Sequence, residues 1–161
     1  MSDNEVYGAD INLDWHDAIN LNDIEYKDSH DCIKEIPKTP GIYIFWRKFA
    51  DTHECLYIGK ASDLKRRITQ QLNAKKLIDH IQEAKKGAKL LSFAEIRMHQ
   101  SCDIPAYLDE VETFLIAEAL SEGHNLFNSK KTKLYFNTIT NDGNGVPNIF
   151  DGEMYLPKRK K

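Results

Sequence analysis

Residues 41 to 68 constrain the fold more than any other stretch, because strand, turn, strand and helix signals follow one another there without a break. Pro37 and Pro40 interrupt regular structure ahead of Gly41. Residues 41 to 48, rich in Ile, Tyr, Phe and Trp, read as a strand. Residues 54 to 59 read as a second, after the polar turn Ala50-Asp51-Thr52-His53. A hairpin symmetric about residue 50 sets Tyr43 opposite Tyr57 and Phe45 opposite Cys55, and such partners share a face with side chains about 5 Å apart. Ser62 is the expected N-cap of a helix from Asp63 to about Leu72, with Asp63 in the first turn, where negative charge suits the helix dipole. Leu64, Ile68 and Leu72 mark its buried stripe, and Arg67 and Gln71 lie one turn apart along one edge of it. The strand-to-helix corner thus gathers Tyr57, Lys60 and Arg67, a phenol, an ammonium and a guanidinium that suit phosphate chemistry.

Beyond this corner, a second helix is expected from about residue 75 to 86 on Leu77, Ile78 and Ile81, stopped by Gly87. Residues 90 to 98 alternate as a third strand. Pro105 fits the first turn of a third helix running to about Ser121, with Gly123 past its end. Its inward face reads Leu108, Val111, Leu115, Ile116 and Ala119, and Glu112 falls inside that face. A carboxylate there must be paired, protonated or metal-bound, because an unpartnered buried charge is costly. The acids Asp109, Glu110, Glu118 and Glu122 read as surface residues. Asn125 and Asn128 follow, then a short apolar run over residues 134 to 139.

Gly41-Ile42-Tyr43 and Tyr57-Ile58-Gly59, with Arg67 ten residues after Tyr57, resemble the defining motif of the GIY-YIG nuclease superfamily across roughly residues 37 to 128. The resemblance implies a small α/β (α+β) domain, a three-stranded, mainly antiparallel sheet flanked by helices. It also implies a metal-dependent endonuclease cutting DNA phosphodiesters. By similarity, Tyr57 is the water-activating phenol and Tyr43 its partner, with the two roles open to exchange. Arg67 is the bidentate phosphate clamp that a lysine could not replace. Lys60 adds positive field, Glu112 is the metal ligand for one Mg2+ (or Mn2+), and Asn128 closes the core, with Asn125 as an alternative. Lys65, Arg66, Gln71, Lys75 and Lys76 complete the expected nucleic-acid-binding set. Gln71 departs from the His or Tyr that members often carry at this position, and an amide cannot serve as a base near neutral pH. The alternative reading is therefore a catalytically weak nucleic-acid-binding module that keeps the fold. A phosphate-loop reading of Gly59-Lys60 fails, because Ala61 replaces the required Ser or Thr and Glu54 occupies the earlier glycine position.

The formal net charge of −3 conceals a segregated distribution. Residues 1 to 36 carry −8, residues 60 to 89 carry +6 and residues 128 to 161 carry +4, so the middle block is the expected phosphate-facing surface. The division expected is an acidic N-terminal extension over 1–36, a catalytic domain over 37–140 and a polar, turn-rich tail over 141–161 with a basic end. Trp15, Ile19, Leu21, Ile24 and Tyr26 would pack the extension onto the domain as a short helix or arm. The 3 cysteines, Cys32, Cys55 and Cys102, form no CxxC pattern and read as reduced thiols, and the pairs His30/Cys32 and His53/Cys55 lack the usual spacing of structural zinc sites. No apolar run approaches the roughly 18 residues of a membrane span, and the N-terminus has no signal-peptide pattern, so a cytoplasmic protein is expected, with DNA as its partner.

Overall fold

The computed structural model describes residues 8–21, 33–84, 86–128, 130, 136–145 and 149–157. Ile24, Tyr26, His30, Cys32 and the basic end of the tail lie outside the described residues. In chain order the elements are β1 (Asn12–Trp15), β2 (Ile19–Asn20), β3 (Gly41–Phe49), β4 (Thr52–Ala61), α1 (Leu64–Leu72), α2 (Lys75–Glu83), β5 (Ala88–Arg97), α3 (Ile104–Ser121), β6 (Phe136–Thr140) and β7 (Glu153–Pro157). This is an α+β fold on an antiparallel sheet ordered β1-β5-β3-β4, with β2 also pairing β5. The expected trio β3, β4 and β5 forms its three long strands, with β3 between the other two. The sheet exceeds three strands because residues 12–15 and 19–20 add to β5 as strands rather than as a helix. A separate hairpin pairs β6 with β7, joining residues on both sides of the 140/141 division.

Strand alternation makes three layers. Tyr43, Phe45, Leu91 and Phe93 face Leu64, Ile68 and Leu72 of α1 and Leu77, Ile78 and Ile81 of α2. Ile42, Ile58 and Ile96 face Leu108, Ile116 and Ala119 of α3 on the opposite side. Val111 and Leu115 pack against this second cluster while partly buried, so the inward stripe read from α3 is the one it uses.

The hairpin register differs from the symmetric expectation by two residues. Tyr43 lies opposite Gly59, Phe45 opposite Tyr57 and Trp46 opposite Cys55. The turn is Ala50-Asp51, closing Phe49 onto Thr52, with Ala50 in the left-handed region at φ 52°. A bulge between Phe45 and Trp46 leaves Leu56 as the extra residue of β4. A shift of two preserves the faces, so Tyr43 and Tyr57 still share one, as diagonal rather than direct neighbours. Asp63, not Ser62, is the N-cap of α1, its carboxylate accepting from Arg66 N at 3.0 Å. Two further first-turn amides are occupied by the Pro37–Pro40 segment: Leu64 N donates to Thr39 O at 3.0 Å and Lys65 N to Pro37 O at 3.2 Å. The start of α1 is therefore filled by backbone and offers these groups to no anion. Helix α2 ends at Glu83, before Gly87, because Ala84 already has extended backbone. No helix among the described residues is long and apolar enough to cross a membrane.

Candidate functional site

Two tyrosines, an arginine and a glutamine meet on the α1 side of the sheet. Tyr43 is fully buried and Tyr57 half-buried, their rings stacked with centroids 6.1 Å apart and planes at 27°. Phe45 meets Tyr43 edge-on and Tyr57 at a tilt, with centroids 6.1 and 6.3 Å away, so three aromatic rings support one another. Gly59 makes this possible. A Cβ there would fall 2.7 Å from Tyr43 Cε1 and closer still to Cζ and the hydroxyl, so the hydroxyl end of Tyr43 lies across the glycine. Gly41 has a different task. A Cβ on it would fall 2.8 Å from Leu64 Cδ1 and closer to the Ala94 carbonyl oxygen, so this glycine lets α1 and β5 close on β3.

Gln71 stands where the helix meets the rings. It is buried, and its Nε2 donates to Tyr43 Oη at 3.0 Å and reaches Tyr57 Oη at 3.5 Å. The amide expected on a nucleic-acid-binding surface is thus buried and faces the two phenol oxygens. The Tyr43 phenol is pushed well above the ordinary tyrosine range, first by burial and then by the neighbouring Tyr57. The charge and hydrogen bond of Arg67 and the hydrogen bond from Gln71 oppose this only in part. Tyr43 therefore keeps its proton at every physiological pH. Arg67 is exposed, with Nη1 donating to Gln70 Oε1 at 3.3 Å, and its guanidinium is within electrostatic reach of Tyr43.

Lys60 is not part of this group. Its pairing with Ile42, a residue of the α3-side cluster, puts it on the opposite face from Tyr57. There its Nζ lies 2.6 Å from Asp109 Oδ1 of α3. Sequence reasoning missed Asp109 because a lone acid on a helix looks like any solvated surface residue. Glu112, one turn farther along α3, is half-buried rather than fully inside the apolar face. Arg66, Lys75 and Lys76 are exposed on α1 and the start of α2, and Lys65 leans toward Lys34 O at 3.5 Å.

Asn128 holds the outer strand. Its Oδ1 accepts from Ile58 N at 3.0 Å and its Nδ2 donates to Ile58 O at 2.6 Å, so one side-chain amide pairs with the backbone between Tyr57 and Gly59. Phe127 N donates to Leu56 O at 2.7 Å, and Cys55 N donates to His124 Nδ1 at 2.8 Å. Residues 124–128 thus cover the outer edge of β4, which would otherwise present unpaired backbone groups. His124 is another contributor that sequence reasoning missed. Asn125 is exposed and lines a cavity of about 620 Å³ with His53, His80, His124, Glu83 and Glu122, beside the turn end of the hairpin rather than at the phenols. Cys55 and Cys102 are free thiols, and burial pushes Cys55 up to about 12, which makes it unreactive.

Two places bear on a metal ion. Glu112 offers a half-buried hard oxygen donor of the kind that holds magnesium together with waters. Asp14, His16 and Glu95 converge within 4.8 Å on the β1–β5 side. There Arg97 Nη2 already lies 2.7 Å from Asp14 and 3.8 Å from Glu95, His16 Nε2 lies 2.8 Å from Glu95, and Thr39 takes the other Glu95 oxygen at 2.8 Å. A network compensated by its own guanidinium suits the tethering of β1 to β5 better than cation binding.

Residues 39–128 match the model of the GIY-YIG catalytic domain. The chain is similar to UvrABC system protein C of Saccharophagus degradans, 29% identical over 143 residues that are 83% of this chain and 20% of that protein. It is also similar to UvrABC system protein C of Cytophaga hutchinsonii, 27% identical over 126 residues that are 78% of this chain and 18% of that protein. The chain thus spans about a fifth of the length of these relatives. No solved structure matches it significantly. With the family match covering more than half of the chain, and with paired phenols, arginine and edge-binding asparagine brought to one outer strand, the protein belongs to the GIY-YIG catalytic-domain family.

Proposed function

We propose that the chain is a divalent-metal-dependent endonuclease that hydrolyses DNA phosphodiesters beside β4. The observation that carries the reading is the convergence of Tyr43, Tyr57, Arg67 and Gln71 around one pair of phenol oxygens. Tyr57 is the phenol that solvent reaches. In its phenolate form it takes the proton of a water whose oxygen attacks phosphorus. The bond to the leaving oxygen breaks, and that oxygen takes a proton from solvent. Tyr43, buried and protonated, holds Tyr57 in place instead of exchanging roles with it. Arg67 can grip two non-bridging oxygens through its planar fork, and positive charge aimed at the developing phosphorane is worth several kcal/mol in such reactions. Glu112 would hold the cation, Mg2+ or Mn2+, which when bound supplies Lewis-acid stabilisation. Arg66, Lys75, Lys76 and Lys65 form the basic surface against which the DNA backbone is expected to lie.

A catalytically weak DNA-binding module is the second reading, favoured by the commitment of Lys60 to Asp109. Nicking of supercoiled plasmid separates the two. The endonuclease reading expects magnesium-dependent conversion to open circles that chelation abolishes, with a loss of about 100-fold or more in Arg67→Ala and a comparable loss in Glu112→Ala. Salt-sensitive DNA binding with no cleavage in either metal would establish the second reading instead.

A further inference from the structure

The two phenols differ in surroundings but are joined by a single side chain. Tyr43 has no solvent contact, and its oxygen receives Gln71 Nε2 at 3.0 Å. Tyr57 stacks beside it, half-buried, with the same amide nitrogen 3.5 Å from its oxygen. An amide N–H can donate but never accept, and the carboxamide does not titrate near neutral pH. Burial disfavours the ionised form of a phenol, and it is complete at Tyr43 and partial at Tyr57, so exposure separates the two oxygens while the shared amide fixes where they lie.

We propose that Gln71 is a positioning residue for both tyrosines, its amide donating to both oxygens and fixing them side by side, so that Tyr57, the phenol solvent reaches, takes the proton of the attacking water while the buried Tyr43 keeps its own. The proposal rests on the endonuclease reading, and it makes Gln71 a working part of the site. A titrating side chain at this position would add a second proton acceptor behind the phenols. The amide excludes that and leaves Tyr57 as the group open to the water.

The test uses the full chain with two isosteric variants. Gln71→Met keeps the volume and removes the donor, while Gln71→Glu keeps the shape and puts an acceptor where the donor was. Two readouts are taken: steady-state plasmid nicking, and the Cζ resonances of 13C-labelled tyrosines recorded at neutral pH without DNA. Gln71→Met is expected to lower kcat about 10-fold, the worth of one hydrogen bond in the transition state, with KM within about threefold. Gln71→Glu is expected to lower it about 100-fold, because the donor is not only lost but replaced by a competing acceptor. In both variants the Cζ resonances of Tyr43 and Tyr57 move while those of the other tyrosines among the 7 in the chain hold still. Either variant cleaving within about threefold of wild type, or resonances that stay in place in Gln71→Glu, would overturn the proposal, since a packing role alone predicts both. A wild-type chain that cleaves no DNA overturns the endonuclease reading; the resonances then decide by themselves whether Gln71 donates to the two phenols.

Discussion

Gly59→Ala tests the construction of the site most directly. The new Cβ would sit 2.7 Å from Tyr43 Cε1 and nearer to Cζ and the hydroxyl, whereas ordinary van der Waals contact begins at 3.4 Å. The ring must retreat by at least about 0.7 Å at Cε1 and farther at its tip, against Phe45, Tyr57 and Gln71, which already surround it. Overpacking of a filled core typically costs about 1–3 kcal/mol, and a fully buried tyrosine with little room to move belongs at the upper end. For a chain of this size about 3 kcal/mol lowers Tm by roughly 6–12 °C. Cleavage should fall further than stability does, because the displaced hydroxyl also loses Gln71. Thermal unfolding and plasmid nicking on the same preparations measure the two effects. Adding Tyr43→Leu should recover part of the lost stability without recovering activity, since the smaller side chain vacates the space over residue 59. Gly59→Ala with wild-type Tm and wild-type cleavage would refute the argument that the glycine exists to let the phenol cross the strand.

Other expectations follow from the same geometry. Asn128→Ala removes both hydrogen bonds to Ile58 and should cost about 1–3 kcal/mol in urea unfolding; Asn128→Asp, which sets a carboxylate against Ile58 O, should cost no less. Lys60→Met breaks an ion pair whose side chains are 40% and 51% exposed, so stability measured by denaturation should change by less than about 1 kcal/mol, and a loss of cleavage would then report chemistry rather than folding. Glu95 is held below the usual carboxylate range by hydrogen bonds from His16 and then Thr39, with the charges of His16 and Arg97 adding and burial opposing. A carboxyl depressed in the folded state contributes stability that is complete above its ordinary value of 4.5 and is lost as pH falls through the lower native value. Glu95→Gln should therefore flatten the acid limb of a stability–pH curve and leave its slope near neutrality unchanged.

The sequence was most legible where a local rule and the tertiary structure demand the same thing. The apolar stripes of α1, α2 and α3 are visible at helical spacing and become the two cores, because each helix can bury only one face against the sheet. The hairpin was legible in kind but not in register. Symmetry about residue 50 is the simplest closure, and neither the left-handed Ala50 nor the bulge at Leu56 carries a glycine or a turn dipeptide that would announce it. The N-terminal strands escaped for a related reason. Four and two residues long, β1 and β2 are too short for a two-residue periodicity to stand out, and what holds them is pairing to β5, a partner about eighty residues away.

The same distinction separates the site residues. Tyr43, Tyr57 and Arg67 could be named from a motif because the motif is written in their residue types, and their spacing along strand and helix survives a register error of two. Gln71, Asp109 and His124 act through partners that no local pattern specifies: two phenols, a lysine on the far face of a strand, and a backbone amide at a bulge. Lys60 shows the cost of ignoring this. It follows Gly59 directly and looks like a neighbour of Tyr57, yet strand alternation sends it through the sheet to α3, three residues counting as the opposite side. Asn128 lies between the two cases. Its residue type was readable, but its work is to pair with the backbone of Ile58, which fixes β4 between the residues flanking it, Tyr57 with its phenol and Gly59 beneath the ring of Tyr43. The tyrosines are thus held from three sides, by a glycine below, an amide behind and an asparagine along the strand edge. An arrangement so constrained is what a reaction needing fixed phenol oxygens requires.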